Sequence, residues 1–195
     1  MGISQLVDFY GQRGFGCIAI TDHICEVNTF LGLAARYLDR TLRRETFANY
    51  MDEIAVQSER AREQYNLMVI PGFEISKNSL SQHRSAHILG IGIQEFISAE
   101  ADIVEILASI RAQGALSVAA HPVPTGKAEI QTLHLWNRRE ELRDYVDAWE
   151  VASGCELFKP VAQSNLRKLA TSDLHHRRQI SGWKTVFNCE RSIES

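Results

Sequence analysis

The run "LATSDLHHRRQISGW" places Asp173, His175 and His176 directly after the apolar pair Leu169 and Ala170. A carboxylate and two imidazoles at the exit of an apolar run suit a turn, since Ser and Asp cap and close loops well. They equally suit a metal ion or a catalytic water, provided that other ligands converge from distant parts of the chain. Three more apolar runs supply such groups: "IAITDH" closes on Asp22 and His23, "LMVIPGFEIS" on Glu74, and "LSVAAHP" on His121. His87 in "SAHILG" opens its run instead of closing it. It joins the others only if that strand runs antiparallel or its loop folds back.

Neutral imidazoles and carboxylates suit zinc, manganese or iron, and a carboxylate such as Glu74 can bridge two ions with one oxygen on each. Two ions about 3.5–4 Å apart lower the pKa of a shared water and so generate a hydroxide nucleophile at neutral pH. The chemistry that the cluster fits is therefore metal-assisted hydrolysis, with Glu74, Asp173 and His175 nearest the reaction. No organic cofactor is needed. A Ser-His-Asp hydrolase fits poorly because GxSxG is absent, and neither GxGxxG nor a Walker A loop occurs. Arg84, Arg177 and Arg178 are candidates to hold a phosphate bidentately, against the reading of exposed loop charges. His176 is a candidate supporting residue, as is Glu150, which ends the strand-like "AWEVAS". Trp136, Trp149 and Trp183 read as core aromatics.

The elements that must position these groups follow from apolar periodicity. Ile3, Leu6, Val7 and Tyr10 lie at helical spacing and stop at Gly11 and Gly14, before the strand "FGCIAI". Thr46 to Tyr65 carries Phe47, Tyr50, Ile54 and Ala61 among charges, and then "LMVIPGF" returns to strand character. "HILGIGI" reads as another strand. "ADIVEILASIRAQG" is a helix with Gly114 as its stop, followed by the strand "ALSVAAHP". A helix over Leu133 to Leu142 leads into "YVDAWEVA", and a shorter one near Val161 leads into "LRKLATSD". Strand and helix alternate, which predicts an α/β fold with a largely parallel sheet. In such folds the carboxyl edge of the strands is where active sites assemble.

At 195 residues and 45% hydrophobic, the chain is long enough for one sizeable core and reads as a single domain over 1–195. Its net charge of -3 supplies no global basic field, which argues against broad nucleic-acid binding while leaving room for a local phosphate site. Cys17, Cys25, Cys155 and Cys189 show no CxxC spacing and follow no secretory signal, so they read as reduced thiols in a cytoplasmic protein. No apolar run reaches the ~18 residues of a membrane span.

In this order and roughly at these spacings, "AITDH", "PGFEIS", "HILG", "AAHP" and "TSDLHH" resemble the PHP (polymerase and histidinol phosphatase) family of metal-dependent phosphoesterases, over about Gly14 to Thr185. The resemblance implies a distorted (β/α)7 barrel with two to three divalent ions at the C-terminal face. It implies that Glu74 bridges two metals, that His87 and His121 complete one site, that His23 and His175 belong to another, and that Asp173 shares a site with Glu74. Asp22 would orient His23 through a hydrogen bond. The implied substrate is a small phosphorylated molecule, hydrolysed by a metal-bound hydroxide. Family members begin with a strand bearing His-x-His, so the expectation is a barrel incomplete at its N-terminus, with a fragment, a misplaced start or a degenerate metal-binding domain as the readings. A degenerate member would serve in an interaction or regulatory role, and an oligomer is open. Amide-bond hydrolysis is a third reading, since related barrels use similar ligands. Residues 24–44, rich in Leu and Arg, read as an insertion beside the site, serving as a lid or contact surface.

Overall fold

Ile3, Val7 and Tyr10 are buried along one side of α1 (Ile3–Gly11), as their spacing predicts. The chain then enters β1 (Cys17–Cys25), whose Ile18, Ile20 and Ile24 join the same core. The computed structural model describes residues 1–26, 41–79, 81–124, 132–190 and 192. Most of the expected insertion at 24–44 therefore lies outside the described residues. α2 (Arg44–Tyr65) buries Phe47, Tyr50, Ile54 and Ala61, and stops where Asn66 turns left-handed at φ 51° and returns its N–H to Arg62 O. Arg60 ties α2 to α1 through Asp8 Oδ1 at 2.6 Å and Ser4 O at 3.0 Å.

β2 (Met68–Lys77) runs through Pro71 and beyond it, so Glu74 sits inside the strand and not at its exit. The same holds for Asp22 and His23, which lie inside β1 near its end. β3 (Ala86–Ile91), α3 (Ile103–Ala112) and β4 (Leu116–Ala120) follow. The helix α3 starts at Asp102, whose carboxylate accepts the Val104 N–H at 2.9 Å, and ends before Gly114 at φ 71°, a conformation that needs no Cβ. Two short helices, α4 (Leu133–Asn137) and α5 (Arg139–Leu142), replace the single one expected there. β5 (Ala148–Ser153), a two-residue β6 (Glu156–Leu157), α6 (Lys159–Ala162) and β7 (Lys168–Thr171) complete the order.

The strands form one seven-stranded sheet in the order β1-β2-β3-β4-β5, with β6 and β7 both on β5. Pairing is parallel for β1/β2, β4/β5 and β5/β7, but antiparallel on both sides of β3 and for β5/β6. β3 reverses because residues 78–85 are too few for the crossover that a parallel neighbour requires, about a dozen residues or more. Among the described residues β1 and β7 are each paired on one side only, so the sheet is open between them. The described architecture is thus an open α/β sheet, without the closure that a (β/α)7 barrel would show.

Strand alternation gives this sheet two faces. One carries Phe73, Ile75, Ile88, Ala119 and Trp149 into the large core shared with the helices. Gly90 belongs here: a Cβ on it would lie 2.7 Å from the Phe73 ring, which packs over the bare backbone. The other face carries a small apolar cluster of Leu89, Val118 and Ala120, flanked by Ile91, Ala148 and Leu169. The register sets Glu74 opposite Leu89, His87 opposite Ala120, Glu150 beside Leu169 and His23 beside Glu74. These polar groups accordingly stand on the face turned away from the helices, at one edge of that apolar floor.

Candidate metal centre

Glu74 is the centre of the cluster and is 5% exposed. Its Oε1 lies 2.8 Å from His87 Nδ1 and 3.8 Å from His121 Nε2, and its Oε2 lies 3.7 Å from His23 Nδ1. His87 Nδ1 and His121 Nε2 are 2.7 Å apart. His87 reaches the site because β3 is antiparallel, which brings its start to the same edge as the ends of β2 and β4. His121 follows β4 directly, at φ 29°, a left-handed conformation uncommon for a side-chain-bearing residue. Its N–H donates to Glu150 Oε2 at 2.6 Å, and its carbonyl accepts from Thr132 Oγ1.

Asp173, at φ 43°, and His175 leave β7 on the other side of the site. Their side chains lie 3.4 Å apart and are more open to water, at 37% and 57% exposure. The His175 ring is 6.0 Å from that of His23. The six residues expected to converge therefore form one neighbourhood, with Glu74, His87 and His121 packed tightly and Asp173 and His175 at its mouth.

The remaining candidates fall elsewhere. Asp22 is on the opposite face from His23, with its backbone N–H 3.3 Å from Tyr50 Oη. His23 Nδ1 is buried without a hydrogen-bond partner, so Asp22 does not orient it through that atom. Arg84, His176, Arg177 and Arg178 are exposed. Arg177 turns toward α1, with its guanidinium 5.8 Å from the Phe9 ring centre and its Nε 3.4 Å from Met1 Sδ. His176 donates its backbone N–H to Gln179 Oε1. Trp149 is a core residue at 1% exposure, and Trp136 packs against it, whereas Trp183 is 46% exposed.

Asn78 is the residue that the sequence did not mark. Its Oδ1 lies 2.9 Å from His87 Nε2. An amide oxygen there fixes the proton on Nε2 and leaves the Nδ1 lone pair facing Glu74 and His121. Only the loop position after β2 hints at it, because an Asn in "SKNSL" reads as a turn residue.

Charge in the cluster is strongly coupled. Burial alone would push the Glu74 carboxyl up, but His87 beside it, helped by His121 and His23, holds it at about 2. Burial disfavours a charged His121, yet the Glu150 carboxylate, 3.6 Å from Nδ1, and then Glu74 raise it to about 9. Asp173 is raised by burial and by the negative charge of Glu74.

These donors fit a divalent cation. The Glu74, His87 and His121 ligand atoms lie within 4.8 Å of one another, the one such group found among the described residues. Bonds of about 2.0–2.1 Å in tetrahedral geometry would separate ligand atoms by about 3.3 Å. The observed spacings of 2.7, 2.8 and 3.8 Å bracket that value. Glu74 Oε1 and His23 Nδ1 are both buried without a hydrogen-bond partner. Buried polar atoms without hydrogen-bond partners are what a cation can satisfy.

No protein-family model matches the sequence, and no curated protein is similar to it. Among solved structures, the chain is similar to a two-domain protein from Bacteroides vulgatus containing a predicted PHP-like metal-dependent phosphoesterase. The identity is 18% and the TM-score 0.54, over 89% of this chain and 48% of that one. This chain thus spans about half the length of that protein. A candidate metal-dependent phosphoesterase from Bifidobacterium adolescentis is similar at 14% identity and a TM-score of 0.49, over 89% of this chain and 82% of that one. At 18% identity the likeness to the Bacteroides protein establishes a shared α/β fold alone. Among the described residues no helix is long and apolar enough to cross a membrane.

Proposed function

We propose that this chain is a PHP-type metal-dependent phosphoesterase acting on a small phosphorylated substrate, with Glu74, His87 and His121 as its best-formed metal site. The observation that carries the reading is the convergence of those three donors at one strand edge of a fold shared with a PHP-like protein. His23, Asp173 and His175 would complete a second position next to Glu74, and the fold would be a distorted (β/α)7 barrel opened between β1 and β7. Zinc, manganese or iron bound there would polarise the phosphate ester and lower the pKa of water. The chain's own contribution is to fix the site. Asn78 holds the His87 tautomer, the apolar floor of Leu89, Val118 and Ala120 keeps water from beneath the cluster, and the open mouth at Asp173 and His175 admits a ligand.

A second reading, metal binding without catalysis, is favoured by one observation: Asp173 is only half-buried and His175 exposed, both more open to water than the Glu74 group. Chelator-stripped protein reloaded with manganese or zinc and assayed on a generic phosphomonoester separates the two. Metal-dependent turnover that His87→Ala abolishes supports the phosphoesterase. Metal uptake with no turnover supports the second reading, and no uptake removes both.

A further inference from the structure

Glu150 is a carboxylate buried to 2% exposure in β5, beside the apolar floor residue Leu169 of β7. Such a group is costly to bury unless its oxygens are satisfied. Both are. Oε2 accepts the His121 backbone N–H at 2.6 Å and stands 3.6 Å from His121 Nδ1, while Oε1 accepts from Thr171 Oγ1 at 2.6 Å. His121 is also the residue whose backbone is held at φ 29°, outside the regions an ordinary side chain prefers. The neighbouring Ala119, Ala120 and Pro122 carry no polar group that could hold that turn. Two hydrogen bonds hold it instead: Thr132 Oγ1 donates to the His121 carbonyl, and Glu150 Oε2 on the neighbouring strand accepts the His121 N–H in a short charged bond.

We infer that Glu150 is a positioning residue for His121: it clamps the left-handed backbone after β4 and so aims Nε2 at Glu74 and His87. This assignment rests on the metal-site reading above. Without the clamp, the His121 backbone relaxes toward the ordinary strand conformation and its ring swings away from the other two donors. The Thr171 arm gives the same carboxylate a hold on the end of β7, two residues before Asp173. Glu150 thereby fixes the strand exits on both sides of the site relative to each other. It would not itself touch the ion, because His121 lies between it and the cluster.

The test is zinc titration of the chelator-stripped full chain by calorimetry, alongside thermal melts. Glu150→Ala is expected to fold and to bind zinc about 10–100-fold more weakly, the range for partners that orient a ligand. The decisive readout is non-additivity: in a His121→Ala background, adding Glu150→Ala should change zinc affinity by less than about threefold, since there is no longer a ring to aim. A residue that merely packs would weaken both backgrounds alike, and that result would overturn the assignment. Should Glu150→Ala fail to fold, Glu150→Gln decides, as its amide oxygen still accepts from the His121 N–H but without charge. An affinity at least about threefold below the parent is expected, and parent-level affinity overturns the proposal. Absence of zinc binding by the parent would remove the metal reading itself, an outcome distinct from a parent that binds and a Glu150 variant that binds equally well.

Discussion

Raising the pH of the metal-free protein from about 6 to about 9 should destabilise it, because the proton held by His121 is then lost. The groups facing that ring are Glu74, Glu150, Asp173 and His87. Glu74 stays ionised throughout this window, with its carboxyl held at about 2. A folded-state value raised from 6.5 to about 9 means that the stabilisation is complete below about 6.5 and disappears as pH rises through about 9. At about 1.4 kcal/mol per pH unit, that gap sets an upper value of about 3 kcal/mol. A quarter of the His121 side chain meets water. Screening there brings the expected loss to about 2 kcal/mol, or about 4–8 °C in melting temperature for a chain of this size. The assay is thermal unfolding followed by circular dichroism, in chelator, at several pH values. His121→Gln carries no titrating ring and should show a flat profile over the same range. Zinc should act with the opposite sign: it needs the deprotonated ring, so its stabilisation should grow with pH. A parent profile that is flat in chelator, or a His121→Gln profile that falls as steeply as the parent's, would refute this account of the cluster.

Two further outcomes concern the scaffold. Trp149→Ala removes a ring that is 1% exposed and packed edge-on against Trp136 at 6.0 Å, and should destabilise by about 3–5 kcal/mol, read as a lower urea midpoint at unchanged slope. Asp102→Ala removes the side-chain cap of α3 and should cost about 1 kcal/mol, or about 2–4 °C in melting temperature, with zinc affinity unchanged.

Much of the arrangement was legible because each site residue borders an apolar run whose period gives away a strand. The types and order of His23, Glu74, His121 and Asp173 suffice to suggest a shared edge, and the α/β alternation suggests why the edge is shared. Strand limits were less legible. β1 and β2 run past Asp22 and Glu74 because pairing with their neighbours extends the ladder through residues, Pro71 included, that local preference reads as an exit. The direction of β3 is not encoded in its own residues at all. It follows from the shortness of the link after Lys77, so His87 enters the site through a spacing and not a motif. Glu150 was visible as a polar residue at a strand end, but its two partners come from β4 and β7 and are set only by packing. Asn78 carried only a turn signal, because its role exists only once His87 is placed.

The central claim is that Glu74, His87 and His121 hold a divalent ion, and anomalous diffraction from crystals soaked in manganese or zinc addresses it most directly. Data collected at the metal's absorption edge should show a peak about 2.0–2.3 Å from Glu74 Oε1, His87 Nδ1 and His121 Nε2, and His87→Ala crystals should lose it. A map without a peak at that point, in soaked crystals whose Glu74 Oε1 and His87 Nδ1 remain 2.8 Å apart, would contradict it.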